Sequence, residues 1–202
     1  MIDFVATFIT FFAVIDPIGT VPVFIAATSH FGTAAKNKIA LMSIGVAALI
    51  LLFFVVAGEF ILLAMSIPLP AFQIAGGIVL FLFALTMIFG ESKPDEELKL
   101  VRDHRDTAIF PLAVPSIASP GAMLAAVLLT ENKRYSTWEQ AQTVSMMFAV
   151  LGVTCLFMLL AGKINRLIGA SGASVVSRVM GLILASVATS NTLAGIKAYF
   201  GL

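Results

Sequence analysis

Four residues that disfavour helices lie close together in an otherwise apolar stretch, "AVIDPIGTVPVF", residues 13–24. Pro17 and Pro22 each lack a backbone N–H, and Gly19 weakens a helix. Asp16 adds a carboxylate, which accepts hydrogen bonds and attracts cations. Backbone that leaves the helical conformation here would offer amides to an anion and carbonyls to a cation. The chemistry predicted for this stretch is therefore the binding of a small charged or zwitterionic group.

A second stretch of the same kind, "FPLAVPSIASPGAML", occupies residues 110–124. Proline at the first position of a helix needs no acceptor for an N–H, so Pro17 and Pro120 are each suited to begin a new half-helix. Amides around residues 19–21 and 121–123 would then be free, with the positive end of a helix dipole behind them. The predicted binding site comprises Asp16, Pro17, Gly19, Thr20, Pro22, Ser119, Pro120 and Gly121.

The elements that carry these stretches are membrane spans. Of the 202 residues 60% are hydrophobic and only 11% are charged, whereas a soluble domain carries about 25% charged residues. Apolar segments of about 18 residues cross a bilayer, and six such segments occur, approximately at residues 3–29, 39–65, 71–90, 108–130, 141–162 and 175–200. We predict an all-α membrane protein of six transmembrane helices, in which helices one and four are broken.

The two halves of the chain match at a nearly constant offset. Three pairs of residues, one pair per span, are separated by 103 or 104 positions: Pro17 and Pro120, Gly58 and Gly162, and Gly77 and Gly181. A unit of three spans ends on the opposite side from its start, so a second copy that follows directly is inverted. The sequence predicts two inverted three-helix repeats, residues 1–90 and 108–202, joined by a charged cytoplasmic linker, residues 91–107.

Basic residues lie mostly on one side of these spans. The loops after spans one, three and five carry nine of the 12 lysines and arginines, and positive residues collect on the cytoplasmic side. Both termini are therefore predicted to lie outside. The expected location is a prokaryotic cell membrane, which is the inner membrane if the cell is Gram-negative, and the first span lacks the pattern of a cleaved signal.

Other classes of function lack the residues they need. The net charge of +1 provides no basic surface for nucleic acid, and Cys155 is the only cysteine, which excludes a disulfide framework. The "GASG" sequence at residues 169–172 resembles a serine protease pattern, but no histidine follows residue 104, so we interpret it as a loop between spans five and six. Neither enzyme activity nor a cofactor or metal is predicted.

Four stretches carry a family resemblance: "DPIGTVPVF", "IAGGIVLFLFAL", "FPLAVPSIASPGA" and "RVMGLILASVA". In order and spacing they resemble signatures of the MarC-like family of six-span membrane proteins, which includes the SnatA-type small neutral amino acid transporters. The family is grouped with LysE-type exporters, which implies a three-plus-three inverted fold with a substrate such as glycine or alanine between the broken helices. Thr20 and Ser119 depart from the asparagine and glycine common in the family, which affects substrate choice more than fold.

The predicted function is a secondary transporter for a small zwitterionic solute, with small neutral amino acids as its substrates. Half-helix N-termini would receive the carboxylate, and Asp16 with free carbonyls would receive the ammonium. Asp16 has a second, compatible interpretation as a helix cap. Alternatives are a gated channel or exporter for another small solute or ion, and an assembly subunit that transports nothing. Expected partners are the substrate and the lipid bilayer, while proton or sodium coupling and homo-oligomerisation stay open.

Overall fold

Helices make up the described part of the chain, which is residues 2–89, 104–132 and 134–201 of a computed structural model. These ranges contain no strand. The elements in chain order are α1 (Phe4–Ile15), α2 (Pro17–Ala27), α3 (Thr33–Ala64), α4 (Leu69–Phe89), α5 (His104–Thr107), an irregular helical segment (Ala108–Ile117), α6 (Pro120–Leu128), α7 (Thr137–Leu159) and α8 (Ala161–Phe200).

Five stretches of these helices are long and apolar enough to cross a membrane, and a bent pair supplies a sixth span. The five are Phe4–Ala27, Thr33–Ala64, Leu69–Phe89, Thr137–Leu159 and Arg178–Phe200. The pair consists of His104–Ile117 and Pro120–Leu128, whose axes differ in direction by 59°. The described residues thus show the predicted all-helical fold with up to six candidate spans, and the two predicted interruptions are present: α1 ends and α2 begins around Asp16, and span four breaks before Pro120.

The connection between spans five and six differs from the prediction. Leu160 is the only residue between α7 and α8, and α8 continues as a helix through residues 169–172, which we had expected to form a loop. The two glycines and the serine of "GASG" each weaken a helix by about 1 kcal/mol or less. Residues 161–200 contain no proline, so only these weak breakers oppose the helix, and they do not end it.

The predicted linker, residues 91–107, is described only at its end, since residues 90–103 lie outside the described part. Residues 104–107 form α5, which is helical and leads directly into the irregular segment. The His104 ring lies 4.6 Å from the ring of Phe31, measured between centroids. This contact joins the start of span four to the loop that follows α2.

Side-chain hydrogen bonds fix where several helices begin. The Asp3 carboxylate accepts from the amides of Val5 and Ala6 at 3.0 Å, and α1 starts at the next residue. Ser136 and Glu139 cap α7 reciprocally, each side chain binding the other residue's backbone amide. These caps satisfy donors that a helix leaves without internal partners, so they set the ends of the spans.

The broken spans lie at the centre and the unbroken ones around them. Within the most apolar window of each span, 56% of Phe4–Ala27 is buried, against 17% of Leu69–Phe89 and 22% of Arg178–Phe200. The outer spans expose large apolar side chains, among them Val56 at 79% and Phe60 at 72%. Apolar residues on the outer surface are what a helix facing lipid requires, whereas the central spans have protein neighbours to satisfy irregular backbone.

Candidate functional site

The first break is a single residue in the left-handed conformation. Asp16 has φ 50° and ψ 69°, and it is both the last cap of α1 and the first cap of α2. Its amide donates to the Phe12 carbonyl at 3.0 Å, and its Oδ1 accepts from the Gly19 amide at 2.9 Å. Aspartate tolerates this backbone conformation better than most residues, because its short side chain bonds locally. The expected role of Asp16 as a helix cap is therefore present.

The second break is extended rather than left-handed. Ser119 has φ −68° and ψ 159°, and its hydroxyl accepts from the Ala122 amide at 3.1 Å. The irregular segment before it has extended backbone at Phe110 and Val114, each directly before a proline. Proline disfavours the helical conformation in the residue that precedes it. Span four consequently enters the break through irregular backbone, whereas α1 is regular up to Ile15.

The two breaks are in contact with each other. The Ser119 hydroxyl donates to the Val14 carbonyl at 2.7 Å, and the hydroxyls of Thr20 and Ser116 lie 3.3 Å apart. Ser119 is fully buried, and Thr20 is 1% exposed. The two breaks thus share one buried interface, in which Ser119 pairs the Val14 carbonyl, a group that would be costly to leave without a partner in a membrane.

Backbone amides at both breaks are more fully used than we expected. The Gly19 amide donates to Asp16 Oδ1 at 2.9 Å, and the Thr20 amide donates to the Asp16 carbonyl at 3.0 Å. The Ala122 amide donates to Ser119 Oγ at 3.1 Å, and the Met123 amide donates to the Ser119 carbonyl at 3.0 Å. The prediction that these amides are free is therefore wrong, because each capping residue reaches forward to the first turn of its half-helix.

One amide remains at the start of each half-helix. Ile18 and Gly121 occupy the second position of α2 and α6, and within the described residues neither amide has a hydrogen-bond acceptor. They follow Pro17 and Pro120, which have no amide hydrogen to donate. The two positions are 103 residues apart, as are the prolines. Each break thus keeps one N–H that could bind an anion, at matching places in the two halves.

Two glycines of the predicted site are needed for close contacts. A side chain at Gly19 would overlap the Asp16 carboxylate, and one at Gly121 would overlap the Leu80 side chain of α4. Leu80 is fully buried, so it has little room to move away. Gly19 therefore allows the first cap to form, and Gly121 allows α4 to approach α6.

Three of the predicted site residues are prolines in or next to these half-helices. Pro17 and Pro120 each occupy the first position of a half-helix, as predicted, with Pro17 buried and Pro120 half-buried. Pro22 lies inside α2 and is half-buried. Because Pro22 has no N–H, the Ile18 carbonyl one turn earlier lacks its usual helical donor. The first break thus leaves a backbone carbonyl in the first turn of α2, that of Ile18, without a helical donor.

Sequence reasoning missed Ser116. Its hydroxyl is half-buried and contacts Thr20, although the repeat gives no reason to select it, because Ala13 stands 103 residues earlier. The one local signal is a serine three residues before Ser119, a spacing that places two hydroxyls on one side of a helical turn. The Val14 carbonyl was likewise not singled out, since any carbonyl near the end of α1 was an equal candidate.

Comparisons with known proteins place this chain among integral membrane proteins. Residues 1–200 match the sequence model of a family described as "MarC family integral membrane protein". The chain is 32% identical over 197 residues to a UPF0056 membrane protein of Methanocaldococcus jannaschii, with 96% of each chain covered. It is 34% identical over 195 residues to one from Pyrococcus horikoshii, covering 95% of this chain and 92% of the other. A UPF0056 membrane protein of Buchnera aphidicola is 30% identical over 200 residues, with 99% of each covered. No solved structure matches the chain significantly.

Proposed function

Because this chain belongs to the MarC family of integral membrane proteins, with relatives in bacteria and archaea, we propose that it is a secondary transporter for small zwitterionic solutes. Small neutral amino acids such as glycine and alanine are the proposed substrates. The observation that carries the proposal is the contact between two broken helices, Ser119 to Val14 and Thr20 to Ser116, at the buried centre of the protein. Paired broken spans with facing half-helix ends are typical of substrate sites in transporters.

An inverted repeat is supported by reciprocal contacts between α4 and α8. The α-carbon of Gly77 packs against the Ala188 carbonyl, and that of Gly181 packs against the Ala84 carbonyl; a Cβ built on the glycines would lie 3.0 and 3.1 Å from these oxygens. Gly77 and Gly181 are 104 residues apart, and so are Ala84 and Ala188. Exchanging the two halves therefore reproduces the same pair of contacts, as a two-fold axis between them would require, and a unit of three spans places that axis in the membrane plane.

The pattern of buried residues and of helix packing is also preserved when the two halves are exchanged. The buried residues of α4 are Gly77, Leu80 and Ala84, and residues 104 positions later, Gly181, Leu184 and Ala188, are buried in α8. Span one packs on spans five and six, while span four packs on spans two and three. This arrangement supports repeats over residues 1–90 and 108–202, and we propose that the two halves exchange conformations during transport.

In the proposed site, backbone amides bind the carboxylate of the zwitterion and a carboxylate binds its ammonium. The free amides of Ile18 and Gly121, each at a positive helix end, would bind the carboxylate. The Asp16 carboxylate, 6% exposed and capped on one oxygen, would bind the ammonium. Close packing of Leu80 on Gly121 leaves little space on the α6 side, which favours substrates with small side chains. We expect the loops after spans one, three and five to be cytoplasmic, as the basic residues indicate.

Exchange of labelled glycine, alanine and serine in proteoliposomes tests the proposal. A transporter should show saturable counterflow, and Asp16→Asn should reduce it strongly. Asp3→Asn is the matched control, because Asp3 also caps a helix but is exposed at the N-terminus of α1. Absence of counterflow for all three amino acids, with or without a proton or sodium gradient, would overturn the proposal. Flux that does not saturate would indicate a channel instead.

A second pair of variants tests the position of the site. Gly121→Leu adds a side chain that would overlap Leu80. Gly152→Leu adds the same side chain on α7, where the space around the glycine is open. We expect Gly121→Leu to abolish counterflow and Gly152→Leu to retain it, provided that both proteins fold in detergent. Equal activity of these two variants would place the substrate away from the second break.

A further inference from the structure

The hydroxyl groups at the breaks form a chain with a definite direction. Thr20 Oγ1 lies 3.0 Å from the Asp16 carbonyl and 3.3 Å from Ser116 Oγ. A carbonyl only accepts, so the single proton of the Thr20 hydroxyl is donated to Asp16. Either hydroxyl could donate in the contact between Thr20 and Ser116, and while the Thr20 proton stays on the Asp16 carbonyl, Ser116 is the donor and Thr20 the acceptor.

This direction leaves Ser116 with unused acceptor capacity. Its proton is committed to Thr20, and within the described residues no donor reaches its oxygen. By contrast, Ser119 both donates to Val14 and accepts from Ala122, and it is fully buried. Thr20 is also buried, whereas Ser116 is half-buried. Among the three hydroxyls at the breaks, Ser116 thus combines partial exposure with free lone pairs.

An oxygen held in this way selects for donors. Since its proton already has a partner, the group can accept an N–H from a solute but cannot donate to a carboxylate without breaking the contact with Thr20. Thr20 follows Asp16 by one helical turn, so the oxygen lies near the only carboxylate at the breaks. An ammonium group meets both requirements, because it carries three N–H donors and a positive charge.

We propose that Ser116 is a specificity-determining ligand for the ammonium group of the substrate. The inference rests on the proposed transport of small amino acids and adds a residue and a selectivity to it. Solutes that lack an N–H at this position, such as trimethylglycine or propionate, lose this bond. The site should therefore discriminate glycine from trimethylglycine partly through Ser116.

Counterflow of labelled alanine, with glycine and trimethylglycine as competitors, measures this selectivity. We expect Ser116→Ala to raise the KM for alanine about 10-fold and to leave the maximal rate within about 2-fold, because one hydrogen bond to a charged group is lost. The preference for glycine over trimethylglycine should fall by a similar factor. Ser116→Thr keeps the hydroxyl and should retain most of that preference.

Two further variants separate binding from folding. Ser145→Ala removes an exposed serine hydroxyl from α7 and should match the wild type in KM and selectivity. Thr20→Val removes the acceptor of the Ser116 proton, so the serine can turn and donate; selectivity against propionate should then decrease even though Ser116 is present. If Ser116→Ala does not fold, the selectivity of Thr20→Val against propionate tests the proposal instead.

Each failure has a distinct meaning. If the wild type exchanges no small amino acid, the proposed function fails and this inference fails with it. If the wild type exchanges alanine and Ser116→Ala keeps the wild-type KM and selectivity, only the role of Ser116 is overturned. A loss of the maximal rate at unchanged KM and selectivity would also overturn it, since that result indicates a structural role.

Discussion

The two breaks perform the same capping with different residues and different backbone. At the first, left-handed Asp16 turns the chain in one residue, and Phe4–Ala27 still forms one span of 24 residues. At the second, extended Ser119 follows an irregular segment, and the two parts of the span are bent by 59°. In both cases the side chain accepts the amide three residues later, Gly19 or Ala122.

The difference shows how the two breaks are attached to each other. An ionised carboxylate only accepts, so Asp16 can cap its own half-helix but cannot donate to a carbonyl across the interface. A hydroxyl accepts and donates, so Ser119 caps α6 and also binds Val14 of α1. Serine is thus suited to linking the halves, and aspartate is suited to leaving a charged group available for a ligand.

Removing the linking hydroxyl should have the largest effect. Ser119→Ala leaves the Val14 carbonyl and the Ala122 amide without their partner in a buried place, and each such loss costs about 1–3 kcal/mol. We therefore expect a decrease of about 3 kcal/mol in the free energy of unfolding, measured in mixed micelles. Ser145→Ala on exposed α7 should change it by about 0.5 kcal/mol or less. Similar values for both variants would mean that the contact with Val14 does not stabilise the protein.

Replacing the left-handed aspartate should come next. Asp16→Ala loses the cap on Gly19 and places alanine in a conformation that costs it about 1–2 kcal/mol, for a total of about 2–3 kcal/mol. Asp16→Asn keeps an acceptor and tolerates the same backbone, so its unfolding free energy should lie within about 1 kcal/mol of the wild type. Both variants should lose counterflow if the charge binds substrate. Equal stability of the two variants would contradict the capping role.

Crowding the second break should have a smaller effect. Gly121→Ala overlaps Leu80, and overpacking of this kind costs about 1–3 kcal/mol. The penalty should largely disappear when the same change is made in a Leu80→Ala protein, which gives a coupling energy from a double-mutant cycle. Gly152→Ala, in open space on α7, should be neutral or slightly stabilising. A penalty for Gly121→Ala that is independent of Leu80 would rule out this contact as the cause.

The smallest change should be a gain in stability. Pro22 leaves the Ile18 carbonyl without a helical donor, whereas the corresponding residue of the second half, Ala125, has an N–H. Pro22→Ala should raise the free energy of unfolding by about 1 kcal/mol, the net value of one hydrogen bond. Counterflow should decrease if the free carbonyl serves the substrate. A loss of stability would show that the ring is needed for packing.

Much of the site could be predicted from local chemistry. Prolines lack an N–H and are tolerated at the start of a helix, so Pro17 and Pro120 indicated where the half-helices begin. Asp16 lies directly before Pro17 and was expected to cap the half-helix, which the hydrogen bond that it accepts from the Gly19 amide confirms. These results depend on residues within one helical turn of each other.

Predictions from local chemistry were wrong where several hydrogen-bond partners or helix preferences competed. Free amides were expected around residues 19–21 and 121–123, but the capping residues use those of Gly19, Thr20, Ala122 and Met123, whereas the Gly121 amide is free as expected. The loop expected at residues 169–172 is part of α8, because these weak breakers do not end a helix that contains no proline. In both cases the residue types were identified correctly, and the balance among their interactions was not.

Sequence by itself determined that the chain is an all-helical membrane protein and that two spans are broken, because hydropathy and proline act through composition and short-range sterics. The sequence also predicted that the two breaks form one site, but only the tertiary structure decided which groups join them, Thr20 with Ser116 and Ser119 with Val14, residues that are 96 and 105 positions apart. Such contacts depend on how separate helices pack, and many carbonyls and hydroxyls in the sequence were chemically equivalent candidates. Packing selected among them by placing the Ser119 hydroxyl against the Val14 carbonyl and the hydroxyls of Thr20 and Ser116 next to each other.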